Sequence, residues 1–283
     1  MNKLVLSLAI TSVLGLSACG GGESIEDVQN EVIQSGDVIT PSARIVFDPS
    51  NGVLSVPNDL LFTGTTDGTL NIPVADPTNI ADPSVALNGL DGWSISQPFV
   101  LAIDFPAGTT LDAGSVFNPE AVRIFETTMG GDASDADCTA VTRGLACKVV
   151  SELMFGVDFV AQAKGNNIVV VPMKPLKGKT SYIVALTNTL QDNNGKAVAG
   201  STTYELVRQN IAEKPLGNAA QLGLQGAVNS YEAAIIAAGA NSESLIYTMA
   251  MTTQSTTDVL FTVKSMMGAN AAQGIVPTIG VAD

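Results

Sequence analysis

The sequence predicts a mainly β protein, in which an immunoglobulin-like β-sandwich over residues 41–208 is followed by a smaller α/β segment over residues 209–283. Short runs of β-branched and aromatic residues recur up to residue 208, and Gly, Pro, Asn or Asp ends most of them. No helical spacing of apolar residues lies between these runs. Such a spacing begins only after residue 208, where it predicts about two helices.

Residues 1–18 are typical of a lipoprotein signal peptide. A positive start at Lys3 precedes an apolar stretch over residues 4–16, which is shorter than the ~20 apolar residues of a membrane-spanning helix. The tetrapeptide Leu-Ser-Ala-Cys that ends at Cys19 resembles a bacterial lipobox, in which the thiol receives a diacylglycerol. We therefore expect Cys19 to be lipidated and to anchor an exported chain at a membrane. An ordinary signal peptide with an incidental Cys is the alternative.

Residues 19–40 predict a flexible acidic tether, because three glycines are followed by polar and acidic residues without an apolar period. Gly20 takes the position after the lipidated Cys, where a Gly rather than an Asp is usual in outer-membrane lipoproteins. We expect an outer-membrane lipoprotein of a Gram-negative bacterium, exposed at the cell surface.

Five strands are predicted within the sandwich segment. They are Ala43–Phe47, Phe99–Phe105, Val122–Glu126, Asn167–Pro172 and Tyr182–Leu186. The fourth run is continuously apolar, which predicts a strand buried on both faces. A turn at Asp192–Gly195 is expected before a further short run, Lys196–Val198.

The last segment predicts a helix, a strand and a second helix. The first helix has apolar residues spaced by four, three and four positions, Leu224, Val228, Tyr231 and Ile235, and Gly239 is placed to end it. Residues 244–251 predict a strand. Thr257 is a candidate cap for the second helix, whose apolar face carries Val259, Leu260, Val263, Met266 and Met267, and we expect these methionines to fill the core.

Cys138 and Cys147 are close in sequence, and an exported chain meets an oxidising compartment, so we predict a local disulfide between them. Two free thiols are the alternative. Asp132, Asp135 and Asp137 lie beside this pair. Three carboxylates in one loop are a weak candidate for a calcium site, although the spacing is not that of an EF-hand and a solvated acidic loop is the competing interpretation.

Several classes of function are excluded or disfavoured by composition. The 283 residues contain no His, so the chain cannot hold a Ser-His-Asp or Cys-His site. No nucleophile elbow, Walker loop or dinucleotide fingerprint is present, and no cofactor is implied. A formal net charge of −14 disfavours nucleic acid as a partner. None of the 27 acidic residues stands out as a catalytic pair.

Several dispersed segments together resemble the N-terminal domain of bacterial virulence-factor lipases, which include Vibrio-type surface lysophospholipase lipoproteins. The segments are residues 56–62, 67–71, 87–94 and 172–176, followed by Tyr182 and the turn at 192–195. The resemblance covers residues 41–283. It implies an α/β-hydrolase domain with a Ser-Asp-His triad C-terminal to this region, and no position of this sequence matches that triad. The resemblance therefore places the chemistry beyond Asp283.

Three functions are compatible with these observations. The first is a lipid-anchored, non-catalytic scaffold that carries a downstream lipase or lysophospholipase domain, against which the helix in residues 216–239 packs through an exposed apolar face. The second is a stand-alone surface lipoprotein that acts as an adhesin or carbohydrate-binding module. It requires an aromatic-lined concavity around Trp93, Tyr182 or Tyr204, whereas a lone Trp is more typical of a core anchor. The third is a weak carboxylate or serine hydrolase without His.

Overall fold

The structure is a computed structural model that describes residues 42–273. Eight strands are present in this range: β1 (Arg44–Ile45), β2 (Phe99–Asp104), β3 (Val122–Met129), β4 (Ala146–Glu152), β5 (Phe159–Lys164), β6 (Asn167–Pro172), β7 (Ser181–Thr187) and β8 (Leu245–Thr252). Five α-helices accompany them: α1 (Pro83–Leu87), α2 (Ala113–Val116), α3 (Thr202–Val207), α4 (Ala219–Ala237) and α5 (Asp258–Ala272). Three short 3-10 helices span Pro49–Asn51, Asp59–Phe62 and Ser242–Ser244.

The strands form two antiparallel four-stranded sheets. The first has the order β1-β2-β6-β5 and the second the order β4-β3-β7-β8. One cluster of buried side chains joins the two sheets, with Leu101 and Ile168 from the first and Val184 and Met249 from the second. The predicted mainly β class is confirmed, because each sheet buries one face in this shared core.

Helix α4 covers the other face of the second sheet. Its Tyr231 and Ile235 are buried in a second apolar cluster with Phe125 of β3 and Ile183 of β7. Strands β7 and β8 are therefore buried on both faces, as their almost unbroken burial patterns show. The sheet therefore covers one apolar side of the helix expected in residues 216–239, whereas Leu222 and Ile236 on its other side remain 38% exposed.

A buried polar network ties α3 and α4 to β8. The Tyr204 hydroxyl donates to Glu232 Oε1 at 2.8 Å and contacts the Thr248 hydroxyl at 2.8 Å. Arg208 pairs with Glu232 at 3.2 Å and donates to the Leu245 carbonyl at 2.9 Å. Burial raises the pKa of Glu232, and Arg208 opposes that rise. Because every member has a partner, the network fixes the helices without leaving an isolated buried charge.

The structure corrects several details of the strand prediction. Strands β4 and β5 were not predicted, and residues 196–198 form only an isolated bridge at Ala197. Strand β6 buries Ile168 and Val170 but leaves Val169 and Val171 half-exposed, so the prediction that both of its faces are buried is wrong. The short helices α1, α2 and α3 lie within the segment where no helix was predicted.

Residues on both sides of position 208 share one fold. Strand β8 is the fourth strand of the second sheet, and residues 42–273 belong to one compact unit. The proposed boundary at 208 thus lies within this unit. Helix α5 forms as predicted, but Met266 and Met267 are 61% and 48% exposed and do not fill the core. Within residues 42–273, no helix is long and apolar enough to cross a membrane.

Candidate functional site

A cavity of about 690 Å³ borders the second sheet, and we call it the Asp59 cavity. Its walls come from the 3-10 helix Asp59–Phe62, the loop between β3 and β4, and the ends of β7 and β8. Charged side chains of both signs line it, namely Asp59, Asp91, Glu126, Asp132, Arg143 and Lys179. Lys179 also forms an ion pair with Asp258, which connects this cavity to the start of α5.

Local capping places Asp59 at the cavity wall. Asn58 is buried, and its Oδ1 accepts a hydrogen bond from the Leu60 N–H at 3.0 Å, which starts the 3-10 helix. Both carboxylate oxygens of Asp59 then bind Thr252, Oδ1 from its N–H at 2.7 Å and Oδ2 from its hydroxyl at 2.6 Å. The Thr252 hydroxyl also contacts the Ser181 hydroxyl at 2.8 Å across the β7–β8 pair.

The carboxyl of Asp59 holds its proton more tightly than an ordinary aspartate. Burial raises its pKa from 3.8 to about 6, against the two hydrogen bonds from Thr252 and the nearby indole N–H of Trp93, all of which favour the ionised form. The residue keeps a partial exposure to the cavity, although protein atoms enclose the carboxylate. A carboxyl of this kind changes its charge within the mildly acidic range.

The hydrogen bonds of Asp59, Thr252 and Ser181 form a clasp between distant segments of the chain. Both oxygens of Asp59 bind Thr252, whose hydroxyl in turn contacts the Ser181 hydroxyl. The bonds therefore fasten the 56–62 segment to the end of β8.

A second cavity, of about 400 Å³, lies beside the only Trp of the chain, and we call it the Trp93 cavity. Trp93 is 8% exposed and belongs to the main core, which agrees with the interpretation as a core anchor. Its indole N–H has no partner that meets hydrogen-bond geometry within the described residues. The ring nevertheless borders the cavity, together with Leu90 and Leu176.

The other two aromatic candidates do not form a binding platform. Tyr182 is buried, and its hydroxyl oxygen accepts the Lys177 N–H at 3.0 Å. Tyr204 is fully buried in the network with Glu232. Tyr182 and Tyr204 are therefore not available to line a carbohydrate-binding concavity, and of the three candidates only Trp93 borders a cavity.

The predicted disulfide between Cys138 and Cys147 is confirmed, and it closes the loop between β3 and β4. The acidic residues beside it have separate partners. Asp132 Oδ1 accepts from the N–H and the hydroxyl of Ser134, and Asp135 pairs with Lys148 at 2.7 Å. Asp137 is 3.4 Å from the same Lys148 ammonium.

These separate pairings are typical of a solvated acidic loop. The Ser134 hydroxyl lowers the pKa of Asp132, and Lys148 lowers that of Asp135. Over residues 42–273, no group of three or more acidic, Cys or His side chains is gathered around a common metal position. The calcium interpretation has no further support, and Cys19, the predicted lipidation site, lies outside the described residues.

Comparison with models of protein families identifies the family of the chain. The model described as bacterial virulence factor lipase N-terminal matches residues 31–279, which is most of the sequence. The chain belongs to this family. The resemblance inferred from the dispersed segments is thereby confirmed. Comparison with curated proteins gives no match.

Sequence reasoning missed the pairing of Asp59 with Thr252. In the sequence, Asp59 stands out only as a member of the segment 56–62 that carries the family resemblance. The two residues are 193 positions apart, and neither belongs to a catalytic or metal-binding motif. A polar residue at the end of the apolar run 245–251 is the one local signal that could have drawn attention to Thr252.

Proposed function

We propose that this chain is the non-catalytic N-terminal scaffold region of a lipase or lysophospholipase, held at a membrane through Cys19. Membership of a family described as the N-terminal region of virulence factor lipases carries the proposal. The absence of His from the sequence adds support, because these 283 residues cannot supply a His-dependent triad.

The catalytic part of the proposal is tested with the purified chain. We expect no turnover of p-nitrophenyl esters or lysophosphatidylcholine above the buffer background, with a serine lipase as positive control. Turnover that disappears when Ser181→Ala is introduced contradicts a purely structural role. The genomic reading frame provides an independent check, since a scaffold region requires a downstream Gly-x-Ser-x-Gly elbow followed by a His.

Helix α5 is the surface that we expect the hydrolase domain to cover. Its apolar side chains are exposed at Leu260 (70%), Phe261 (62%) and Met266 (61%). A helix that is apolar on several sides is normally buried. We expect Phe261→Glu to weaken the association with the hydrolase domain, measured by calorimetry, and to leave the fold of the sandwich unchanged. Unaltered association excludes α5 as the contact.

Lipid anchoring is a separate part of the proposal. The lipobox-like tetrapeptide supports modification of Cys19, and the Gly that follows supports an outer-membrane location facing the cell surface. Metabolic labelling with radioactive palmitate is expected to be lost in Cys19→Ser. Label that persists in this variant refutes the anchor, and protease shaving of intact cells tests the surface exposure.

We further infer that the sandwich is immunoglobulin-like. In chain order, strands β1 to β8 take the positions A, B, C, C′, D, E, F and G of that fold. The first sheet then has the order A-B-E-D, and the second sheet has the order C′-C-F-G. The strand order is the support for this inference. An experimental structure with a different order of strands contradicts it.

A further inference from the structure

Among the described residues, the Trp93 cavity is lined without a single ionisable side chain. Apolar walls come from Val56, Leu87, Leu90, Trp93, Leu176 and Met251. The polar residues of its lining are Ser94, Gln97 and Gln254, which carry no charge. Ligand pockets commonly combine such apolar walls with a few polar groups and enclose about 300–1,000 Å³. The cavity, at about 400 Å³, falls within this range.

Several walls of the cavity are held in place before any ligand arrives. The amide of Asn88 binds both backbone groups of Ile72, at 2.6 and 2.9 Å, and the Leu70 N–H donates to the Leu90 carbonyl at 3.0 Å. Trp93 is fixed from the other side through its backbone. Its backbone N–H bonds to β8, and its backbone carbonyl bonds to the residues that follow β8. A preformed cavity binds its ligand with a smaller loss of entropy.

Some wall residues are also open to solvent. Val56 is 52% exposed, Leu87 40% and Leu90 37%. These exposures place the apolar entrance of the cavity at the three residues. Such exposed apolar surface gains free energy when a ligand covers it.

The size of the cavity limits what it can contain. A cavity of about 400 Å³ has room for a narrow apolar chain, whereas an α-helix about 10 Å wide would place only its side chains inside. The absence of ionisable groups among the described wall residues excludes a charged group from the interior, because a buried unpaired charge is strongly unfavourable.

We propose that the Trp93 cavity binds the hydrocarbon chain of a lipid acyl group, with the polar head at the solvent side. The chain lies along Trp93, Leu176 and Met251, and the amides of Gln97 and Gln254 are available to hydrogen-bond the ester or carboxyl head. This site is independent of the proposed lipase partner, because its residues all lie within the described part of the chain.

The single Trp makes the site directly measurable. The full chain is titrated with saturated fatty acids of increasing length below their critical micelle concentrations, and with a fatty acid brominated on its chain. We expect saturable quenching of Trp93 fluorescence by the brominated acid. The affinity of the unbrominated acids, measured by competition, is expected to rise about fourfold for each added methylene until the cavity is full.

A matched pair of variants separates the cavity from general surface binding. Leu90→Glu places a carboxylate at the entrance, and we expect at least a tenfold loss of affinity. Leu222→Glu makes the same change at a residue of nearly equal exposure (38%) on α4, which does not line the cavity, and is expected to bind normally. Circular dichroism verifies that both variants are folded.

Four results overturn the proposal. Three are quenching that does not saturate, an affinity that does not depend on chain length, and an equal loss in the two variants. Specific binding of an apolar peptide with no response to fatty acids assigns the cavity to a protein segment and also overturns it. Esterase assays and hydrolase association do not affect any of these outcomes.

Discussion

Replacing Asp59 with Asn is expected to remove a pH-dependent contribution to stability between about pH 4 and 6. The pKa of the carboxyl is raised from 3.8 in the unfolded chain to about 6 in the folded protein. Below this window the group is protonated in both states. As the pH rises, the unfolded chain releases its proton first, so that unfolding becomes more favourable. Above the window the folded state carries a desolvated carboxylate.

The magnitude follows from the size of the shift. A difference of about two pKa units corresponds to about 3 kcal/mol in the free energy of unfolding, and partial exposure to the cavity makes this an upper value. The amide introduced by Asp59→Asn does not titrate, and it can still accept the Thr252 N–H and donate to the Thr252 hydroxyl. The stability of the wild type relative to Asp59→Asn should therefore fall by up to about 3 kcal/mol as the pH increases through this window.

Urea denaturation at a series of pH values, followed by Trp93 fluorescence, measures this difference. Asp158→Asn is the control, because the Met154 N–H and Lys174 lower the pKa of Asp158. The stability of the wild type relative to this variant should rise with pH, which is the opposite direction. A constant offset between the wild type and Asp59→Asn from pH 3 to 7 refutes the reasoning about Asp59.

Three further predictions concern packing. Ile235→Ala in α4 should lower the free energy of unfolding by about 2–5 kcal/mol, because this side chain is fully buried between helix and sheet. Ile236→Ala, at 38% exposure, should lower it by less than about 1 kcal/mol. Equal urea midpoints for the two variants contradict the packing of α4. Gly92→Ala should lower the melting temperature, because a Cβ atom there would lie 2.5 Å from the Gln254 backbone nitrogen. Gly223→Ala, in the open interior of α4, should raise the melting temperature slightly. An unchanged or higher melting temperature for Gly92→Ala argues against the close approach of Gly92 to the Gln254 backbone. Replacing both cysteines of the disulfide with Ser should lower stability by about 2–3 kcal/mol, since the closed loop is short, and the loss should match that caused by a reductant in the wild type.

Elements with concentrated apolar residues could be predicted from the sequence. The spacing of Val228, Tyr231 and Ile235 located α4, and all three are buried. Strand β4 escaped prediction because most of its side chains are exposed or half-exposed. Its place in the sheet depends on backbone pairing with β3, which leaves no apolar run in the sequence.

Which face of an element is covered depends on tertiary structure. The apolar run of β6 suggested burial on both faces, but α4 packs on the other sheet and makes β7 and β8 the doubly buried strands. The methionines of α5 were expected in the core for a similar reason, because periodicity alone does not identify the surface that a helix meets. The clasp at Asp59 depends on a contact between distant segments, which a single sequence cannot reveal.

Strand β8 lies at the border of its sheet, yet several of its backbone groups are engaged. Arg208 occupies the Leu245 carbonyl at one end, and at the other end Asp59 and Trp93 bind the N–H and carbonyl of Thr252. Unsatisfied strand borders are templates on which other molecules add strands. The segment that carries Asp59 and Trp93 therefore also protects the border of β8 from aggregation. Its detachment would leave these backbone groups of β8 free for intermolecular β-pairing.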